Sequence, residues 1–238
     1  MKENRLITLM KKRSNVAVNG QRMIPLDIVT EVFENSLFGE SVDGYMDVDY
    51  YNAHRDVASP LMRTESGMIT GFWMTGNDYH NASGYYGAYP PGYMKKMSLL
   101  FPRPDVVLHL FSGKTPKGSW GSYPVKEVTC DIKEEVRPDV VEDAHHVDRS
   151  FEPGTFDLIL SDPPYLLNYE KYGTSPVNKK LVVKKCAPLL CRGGHLVWLD
   201  CIMPIWAKRD GWKLVGTIGL VQSTNHQVRV ATILEKIS

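Results

Sequence analysis

The sequence has few cysteines, no long apolar run and almost no excess charge, and each absence excludes a class of protein. Its 238 residues carry 28 Lys and Arg against 27 Asp and Glu, a net charge of +1. This balance argues against a histone-like polycation, so any nucleic-acid site has to be a local patch. No apolar run is long enough to cross a bilayer, and the first residues lack the apolar stretch of a secretion signal. We therefore expect neither membrane spanning nor export.

The four cysteines follow neither a metal-binding nor a disulfide pattern. Cys130, Cys186, Cys191 and Cys201 form no C-x-x-C pair, and no histidine pair lies near them at zinc-ligand spacing. We interpret them as reduced, mostly buried thiols of a cytoplasmic protein, and we expect no metal site.

The length corresponds to one or two domains, and the two parts of the chain differ in regularity. Residues 1–85 show little periodicity, and residues 43–93 are rich in Gly, Tyr, Asn and Asp, which is typical of loops with occasional short strands. We expect residues 1–85 to form an irregular N-terminal extension, a candidate for target recognition. We expect residues 86–238 to form a catalytic domain.

The second part alternates short apolar runs with helical or loop segments, which predicts a parallel α/β sheet. Residues 92–101 and 178–190 are predicted to be helical, the second helix being stopped by Arg192-Gly193-Gly194. The last two strands are separated only by a short polar turn, so they form a hairpin that places one antiparallel strand in the sheet. The predicted strands cover residues 106–111, 125–130, 139–141, 156–160, 195–199, 212–221 and 228–234.

One short motif carries the chemistry. Asp162-Pro163-Pro164-Tyr165 directly follows an apolar strand, at the strand end where open α/β sheets bind ligands. A nucleobase amino group is a poor nucleophile, because its lone pair is conjugated with the ring. The carboxylate of Asp162 and a backbone carbonyl fixed by the two prolines can accept its N–H bonds, and Tyr165 offers a flat face for a base removed from its helix.

This motif resembles the signature of the amino-group methyltransferases, which methylate N6 of adenine or N4 of cytosine. The resemblance covers about two-thirds of the chain. It implies a Rossmann-like sheet of seven strands with one antiparallel strand, and S-adenosylmethionine as cofactor. The implied catalytic residues are Asp162, Pro163, Pro164 and Tyr165.

The surrounding segments fit the same family. The turn Phe111-Ser112-Gly113 resembles its cofactor-binding turn, Asp131 resembles the acidic residue that holds the ribose hydroxyls, and Asp143-Ala144 resembles the pair at the adenine amino group. The segment containing Tyr86, Tyr89 and Pro90 resembles the one that lies over the methionine end. After Gly113 the family usually has a second glycine and a Ser or Thr, whereas this chain has Lys114-Thr115. Either the turn is longer here, or Lys114 meets the cofactor carboxylate.

Charge is unevenly distributed along the catalytic half. Residues 166–192 hold six cations and one carboxylate and directly follow the motif, so phosphates beside a flipped base can pass there; a solvated helix face explains the charges equally well. The predicted nucleic-acid contacts are Lys171, Lys179, Lys180 and, in the last turn, Asn225. Residues 131–157 hold nine acids and three cations, which suits a cationic cofactor.

Several alternatives remain open from the sequence. The resemblance fits methylation at N4 of cytosine as well as at N6 of adenine in DNA, and also methylation of an RNA amino group or a protein glutamine. A binding module without catalytic activity is a further alternative. The turn Ser112-Gly113-Lys114-Thr115 also resembles the end of a P-loop, but Leu108 stands where that loop needs its first glycine. Methylation at C5 of cytosine is disfavoured, because no Pro-Cys dipeptide supplies the nucleophile. The oligomeric state is not encoded in any pattern that we find.

Overall fold

A computed structural model describes residues 16–18, 21–23, 45–54, 59–76, 89–115, 117–118, 120, 125–165, 169, 175–223 and 228–238. The chain divides into two compact units, Met1–Val42 and Asp43–Ser238. In the first unit, strands Val16–Val18 (β1) and Gln21–Met23 (β2) pair antiparallel, with Val18 opposite Gln21.

The second unit is built on one sheet of nine strands. In chain order, the strands are Met62–Arg63 (β3), Ile69–Thr75 (β4), Val106–Leu110 (β5), Lys126–Asp131 (β6), Val140–Val141 (β7), Phe156–Ser161 (β8), Leu190–Asp200 (β9), Trp212–Gln222 (β10) and Val228–Lys236 (β11). Their order across the sheet is β3-β4-β10-β11-β9-β8-β5-β6-β7.

The seven predicted strands all form, in the expected Rossmann-like arrangement. β5 lies between β8 and β6, and all three run parallel. β11 runs antiparallel to both of its neighbours, β9 and β10, as the predicted hairpin requires. Every residue of β8 is buried, in keeping with a continuous apolar strand covered on both faces.

Two strands and a helix come from the part of the chain that the sequence left mostly irregular. β4 pairs parallel with β10 and β3 pairs antiparallel with β4, so both extend the central sheet. Val48–Ala53 (α1) is a helix capped by Asp47, whose Oδ1 accepts the Tyr50 N–H at 2.7 Å. The compact unit that holds these elements spans Asp43–Ser238, and the expected division into a target-recognition extension, residues 1–85, and a catalytic domain, residues 86–238, stays a prediction.

The two other helices are Tyr93–Leu100 (α2) and Lys179–Cys186 (α3), with short 3-10 turns at Glu134–Val136, Ala144–Arg149, Ala187–Leu189 and Lys208–Asp210. α3 ends at Cys186, four residues before its predicted end, and the chain continues as the 3-10 turn Ala187–Leu189, in which Pro188 has no N–H to extend the α-helix. The prediction that Arg192-Gly193-Gly194 stops this helix was wrong, since these residues lie inside β9.

Buried side chains form two clusters. One contains Tyr51 from α1, Trp73 from β4 and Met97 from α2, packed against sheet residues such as Val107. The other contains Val182 from α3, packed against sheet residues that include Leu108. Because Val107 and Leu108 are consecutive in β5, their side chains point to opposite faces, so helices cover both faces of the sheet. Among the described residues, no helix is both long and apolar enough to cross a membrane.

Candidate active site

The strand order places a crevice between β5 and β8. The chain passes from β5 outward through β6 to β7 and then returns to β8 on the other side of β5. The turns after β5 and β8 therefore separate at this point, which is where open parallel sheets bind their ligands. Gly113 follows β5 and Asp162 follows β8, so the two sequence motifs flank the crevice.

The turn after β5 has an unusual backbone. Phe111 has φ of 59° and Gly113 has φ of 51°, both in the left-handed region. For Phe111 this conformation costs about 1–3 kcal/mol, and such strain is concentrated at functional sites. The Ser112 N–H donates to the Cys130 carbonyl at 3.1 Å, and the Gly113 N–H donates to Asp131 Oδ2 at 2.8 Å. The turn is thus fastened to the end of the neighbouring strand.

Asp131 receives a second backbone hydrogen bond. Its Oδ1 accepts the Lys133 N–H at 2.9 Å, so each carboxylate oxygen is held by one amide. An ionised carboxylate has about four lone-pair sites, so both oxygens keep acceptor capacity for a pair of hydroxyls. This fixed orientation is what a diol-binding acid requires.

Asp143 connects the crevice to α3. It caps the 3-10 turn Ala144–Arg149, and its Oδ1 accepts both the N–H of His145 at 2.9 Å and the ring nitrogen Nδ1 at 2.7 Å. Burial alone would raise the pKa of Asp143, but these hydrogen bonds and the nearby histidines lower it overall. The His145 Nε2 accepts the N–H of Asn178, the residue that caps α3, at 2.9 Å. Nε2 therefore carries no proton, and Nδ1–H is the donor to Asp143.

These groups line one cleft of about 460 Å³, a volume within the usual range for small-molecule sites. Seven residues predicted from the sequence lie in its wall: Phe111, Gly113, Asp131, Asp143, Ala144, Asp162 and Pro164. Sequence reasoning did not assign Glu142, Ser175 or Val177 to it, although they also line it.

Other predicted cofactor residues lie elsewhere. Ser112 is buried beside the cleft, and its Oγ has no hydrogen-bond partner among the described residues. The side chain of Lys114 is exposed and outside the cleft lining, and its contact with a cofactor carboxylate stays a prediction. Pro90 is buried, and the Tyr89 hydroxyl donates to the Leu160 carbonyl at 3.5 Å. Tyr86 lies outside the described residues.

Tyr89 lies close to the end of β8. Its hydroxyl donates to the carbonyl of Leu160, the last residue but one of that strand, and its ring stacks on Tyr93 with centroids 5.2 Å apart. Burial, together with the charges of Tyr93 and Asp162, raises the pKa of Tyr89 well above its ordinary value. The tyrosine therefore stays a neutral hydrogen-bond donor beside Asp162.

The motif after β8 places Asp162 and Tyr165 in contact. The Tyr165 hydroxyl donates to Asp162 Oδ1 at 2.5 Å, while Pro163 is buried and Pro164 half-buried between them. Burial raises the pKa of Asp162 from 3.8 to about 6. The charge of Asp200 adds to the rise, whereas Arg229 and the Tyr165 hydroxyl oppose it. The carboxyl group thus changes charge close to neutral pH.

Arg229 is a site residue that sequence reasoning missed. Its guanidinium carbon lies 5.0 Å from the centroid of the Tyr165 ring, over the face that was expected to stack a base. A signal for it exists in the sequence. The predicted hairpin makes β11 antiparallel, so the first residues of β11 lie at the same edge as the ends of the parallel strands.

The predicted nucleic-acid contacts differ in their surroundings. The Lys179 ammonium pairs with Asp200, whose side chain is 1% exposed, so its charge is already balanced inside the protein. Lys180 is exposed, as is Lys184 on the same helix, while Lys185 pairs with Asp148 at 2.7 Å. Lys171 and Asn225 lie outside the described residues. Within the part of the chain that the structure describes, no group of three or more metal-ligating side chains occurs.

No protein-family model matches the sequence, and no curated protein matches it. Among solved structures, the chain is similar to TrmN from Thermus thermophilus, with 20% identity and a TM-score of 0.40, over 56% of this chain and 44% of that one. It is also similar to a TehB-like SAM-dependent methyltransferase from Corynebacterium glutamicum, with 15% identity and a TM-score of 0.43, over 65% and 91%.

A third similar structure is the 1,6-didemethyltoxoflavin-N1-methyltransferase of Burkholderia thailandensis with bound S-adenosylhomocysteine. The identity is 12% and the TM-score 0.44, over 61% of this chain and 78% of that one. This chain thus spans less than half the length of the Thermus protein.

Proposed function

We propose that this chain is a methyltransferase that uses S-adenosylmethionine to methylate the exocyclic amino group of a nucleobase, with N6 of adenine in DNA as the first choice. One observation carries the proposal. Three carboxylates that end or follow three parallel strands, Asp131, Asp143 and Asp162, open into a single cleft beside the strained turn at Phe111. The sequence motifs for cofactor and substrate thus meet at one place.

The residues present fit the cofactor. Asp131, with both oxygens oriented by amides, would hold the ribose hydroxyls, and Asp143 with Ala144 would meet the adenine edge. The buried Ser112 hydroxyl, without a partner among the described residues, supplies a polar group beside the glycine turn. The binding-module alternative loses its main support, because Gly113 keeps its left-handed φ and its amide bond to Asp131 despite Lys114.

S-adenosylmethionine supplies a methyl group made electrophilic by the sulfonium. The protein's contribution is to position and polarise the amino group. Asp162 Oδ1 is held by Tyr165, and we assign Oδ2 as the acceptor for one amino N–H, with the Pro163 carbonyl as the second acceptor. Drawing both N–H bonds toward acceptors favours tetrahedral nitrogen and frees its lone pair. With its pKa near 6, Asp162 can also take up a proton from that nitrogen.

Two features of the site favour a nucleobase. Tyr165 and Arg229 form a ring and guanidinium pair beside the reacting carboxylate, and both groups stack on bases. Lys180 and Lys184 are exposed on the helix that follows the motif, where they can contact phosphates. A base that stacks on Tyr165 therefore either displaces Arg229 from the tyrosine ring or stacks on the opposite face of that ring.

The test is methyl transfer from tritiated S-adenosylmethionine to unmethylated DNA, followed by nucleoside analysis. We expect label in N6-methyladenine, and a decrease of about 100-fold or more with Asp162→Ala, since such polar contacts act mainly in the transition state. Glu152→Ala, which removes an exposed carboxylate, is the matched control and should keep full activity. Label in N4-methylcytosine, or only in RNA, would redirect the proposal to those targets. Binding of S-adenosylhomocysteine without transfer to either nucleic acid would contradict it.

A further inference from the structure

The loop after β9 exposes large apolar side chains to solvent. Ile202, Met203 and Ile205 are 52%, 42% and 65% exposed. Contiguous apolar groups at the surface of a folded domain usually mark a contact site.

This loop is anchored at several points, so the exposure is built into the fold. The Cys201 N–H donates to Asp200 Oδ1 at 2.7 Å, and Pro204 is buried between the exposed residues. Trp206 packs against the buried cluster on one face of the sheet. With Pro204 and Trp206 turned inward, their neighbours Met203 and Ile205 are held outward.

The loop leaves the sheet beside the candidate active site. β8 and β9 are parallel neighbours with Ser161 opposite Trp198, so Asp162 and the loop emerge at the same edge. On the other side of β9, Val230 lies opposite Asp200, which places Arg229 next to the start of the loop. Adjacent strands are about 4.8 Å apart, so the loop leaves the sheet one strand spacing from the strand that precedes Asp162.

The charges around the loop identify the class of partner. Lys208 and Arg209 come three and four residues after Ile205 and are exposed. Residues 201–209 contain no acidic side chain, and Asp210 follows them. Proteins that open a double helix insert apolar side chains between base steps while cations contact the flanking phosphates. This combination of apolar tip, flanking cations and adjacent reacting carboxylate favours a double-stranded nucleic acid over a protein surface.

We propose that Ile202, Met203 and Ile205 form a wedge that enters the base stack of a double-stranded nucleic acid and holds it open while the target base lies at Asp162. The wedge rests on the proposed function for its substrate class. It acts on strand separation, so it matters only when the target base is paired. A substrate whose bases are already unpaired does not need it.

The experiment compares native and heat-denatured forms of the same unmethylated genomic DNA, and folded and heat-denatured forms of total RNA. The variant is Ile202→Ala/Met203→Ala/Ile205→Ala in the full chain. Phe72→Ala/Met74→Ala is the matched control, because these β4 residues are 65% and 54% exposed outside the loop. Thermal unfolding verifies that both variants fold. We expect the ratio of transfer to the native and denatured forms to fall about ten-fold or more in the wedge variant and to stay unchanged in the control. Equal losses on both forms, or an unchanged ratio, would overturn the wedge.

Failure of the proposed function is distinguished by a binding measurement. If the wild-type protein methylates neither nucleic acid, random-sequence duplexes containing 2-aminopurine report whether it still unstacks bases. A fluorescence increase that the wedge variant loses supports the wedge without the methylation. Absence of any increase overturns it. Sedimentation of wild type, but not of the variant, with phosphatidylglycerol vesicles would reassign the loop to a membrane surface and also overturn it.

Discussion

Replacing Asp162 by asparagine should stabilise the protein at neutral pH. Burial raises the pKa of this carboxyl group from 3.8 to about 6, so the native state holds the ionised form at a free-energy cost. At about 1.36 kcal/mol per pKa unit, the cost above pH 7 is at most about 3 kcal/mol. Asp162 is open to the cleft on one side, and asparagine keeps some of its contacts. We therefore expect a gain in unfolding free energy of about 1–3 kcal/mol at pH 8.

The pH dependence gives this prediction its sign. Because the folded pKa lies above the unfolded one, the native state binds the proton more tightly between about pH 4 and pH 6. The contribution of Asp162 to the stability of the wild type therefore falls across that window and is level above it, whereas asparagine does not titrate. The difference in unfolding free energy between variant and wild type should be near zero at about pH 4, about half its full size at about pH 5, and complete above about pH 7.

Urea unfolding of both proteins at several pH values measures this difference directly. Glu152→Gln, at an exposed carboxylate, should show no difference at any pH. Since the asparagine amide oxygen still accepts a hydrogen bond, methyl transfer that remains in the variant should lose the acid limb that we expect near pH 6 in the wild type. A variant that is less stable than the wild type at pH 8, or a difference that is the same at every pH, would refute the reasoning from burial.

Three other variants test the site. Arg229→Ala removes the cation that counteracts the effect of burial on the pKa of Asp162, so the acid limb of the pH–rate profile should move above pH 6. Arg229→Lys keeps a cation and should move the limb back. An unchanged midpoint in the alanine variant would contradict this electrostatic role. Asp131→Asn should weaken S-adenosylhomocysteine binding about ten-fold or more in calorimetry, because a charged hydrogen-bond acceptor contributes about 1.5–3 kcal/mol; unaltered affinity would place Asp131 outside the cofactor site. Lys179→Met leaves the carboxylate of Asp200 buried without its cation and should lower the unfolding free energy by about 3–5 kcal/mol, with Asp200→Asn in the same chain recovering most of the loss. If Lys179→Met and Asp200→Asn instead lower the unfolding free energy additively in the double variant, the two side chains are not coupled.

The central sheet was predictable because its strands are continuous apolar runs that end in Gly, Ser or Asp. β4 was not, because apolar residues occupy both of its faces: Ile69 and Trp73 are buried while Phe72 and Met74 are exposed, which hides the alternation of a half-buried strand. Gly71 adds to the loop-like composition. In the strand, a Cβ at Gly71 would lie 2.8 Å from Cδ2 of Leu61 and 3.3 Å from the Pro60 carbonyl oxygen, so the glycine leaves room for the Leu61 side chain.

The site was predictable to the extent that its residues end strands. Asp131 ends β6 and Asp162 follows β8, and parallel strands bring their ends to one edge. Local charge alone could not show that Lys179 is paired inside the protein. Its partner Asp200 lies in another element, so the ion pair depends on the tertiary structure. Arg229 was missed because it begins the antiparallel strand, whose first residues rather than its last reach that edge.

The two strands added beside β10 determine where the chain can be cut. β4 pairs with one side of β10, an eleven-residue strand from Trp212 to Gln222, and β3 pairs in turn with β4. The other side of β10 pairs with β11. A fragment that starts at residue 86 lacks both strands and exposes a long row of unpaired backbone groups beside the apolar residues that β4 covered. Such an edge recruits strands from other molecules. The fragment should therefore associate into aggregates, while one that begins at Asp43 keeps the edge closed and remains suitable for work in solution.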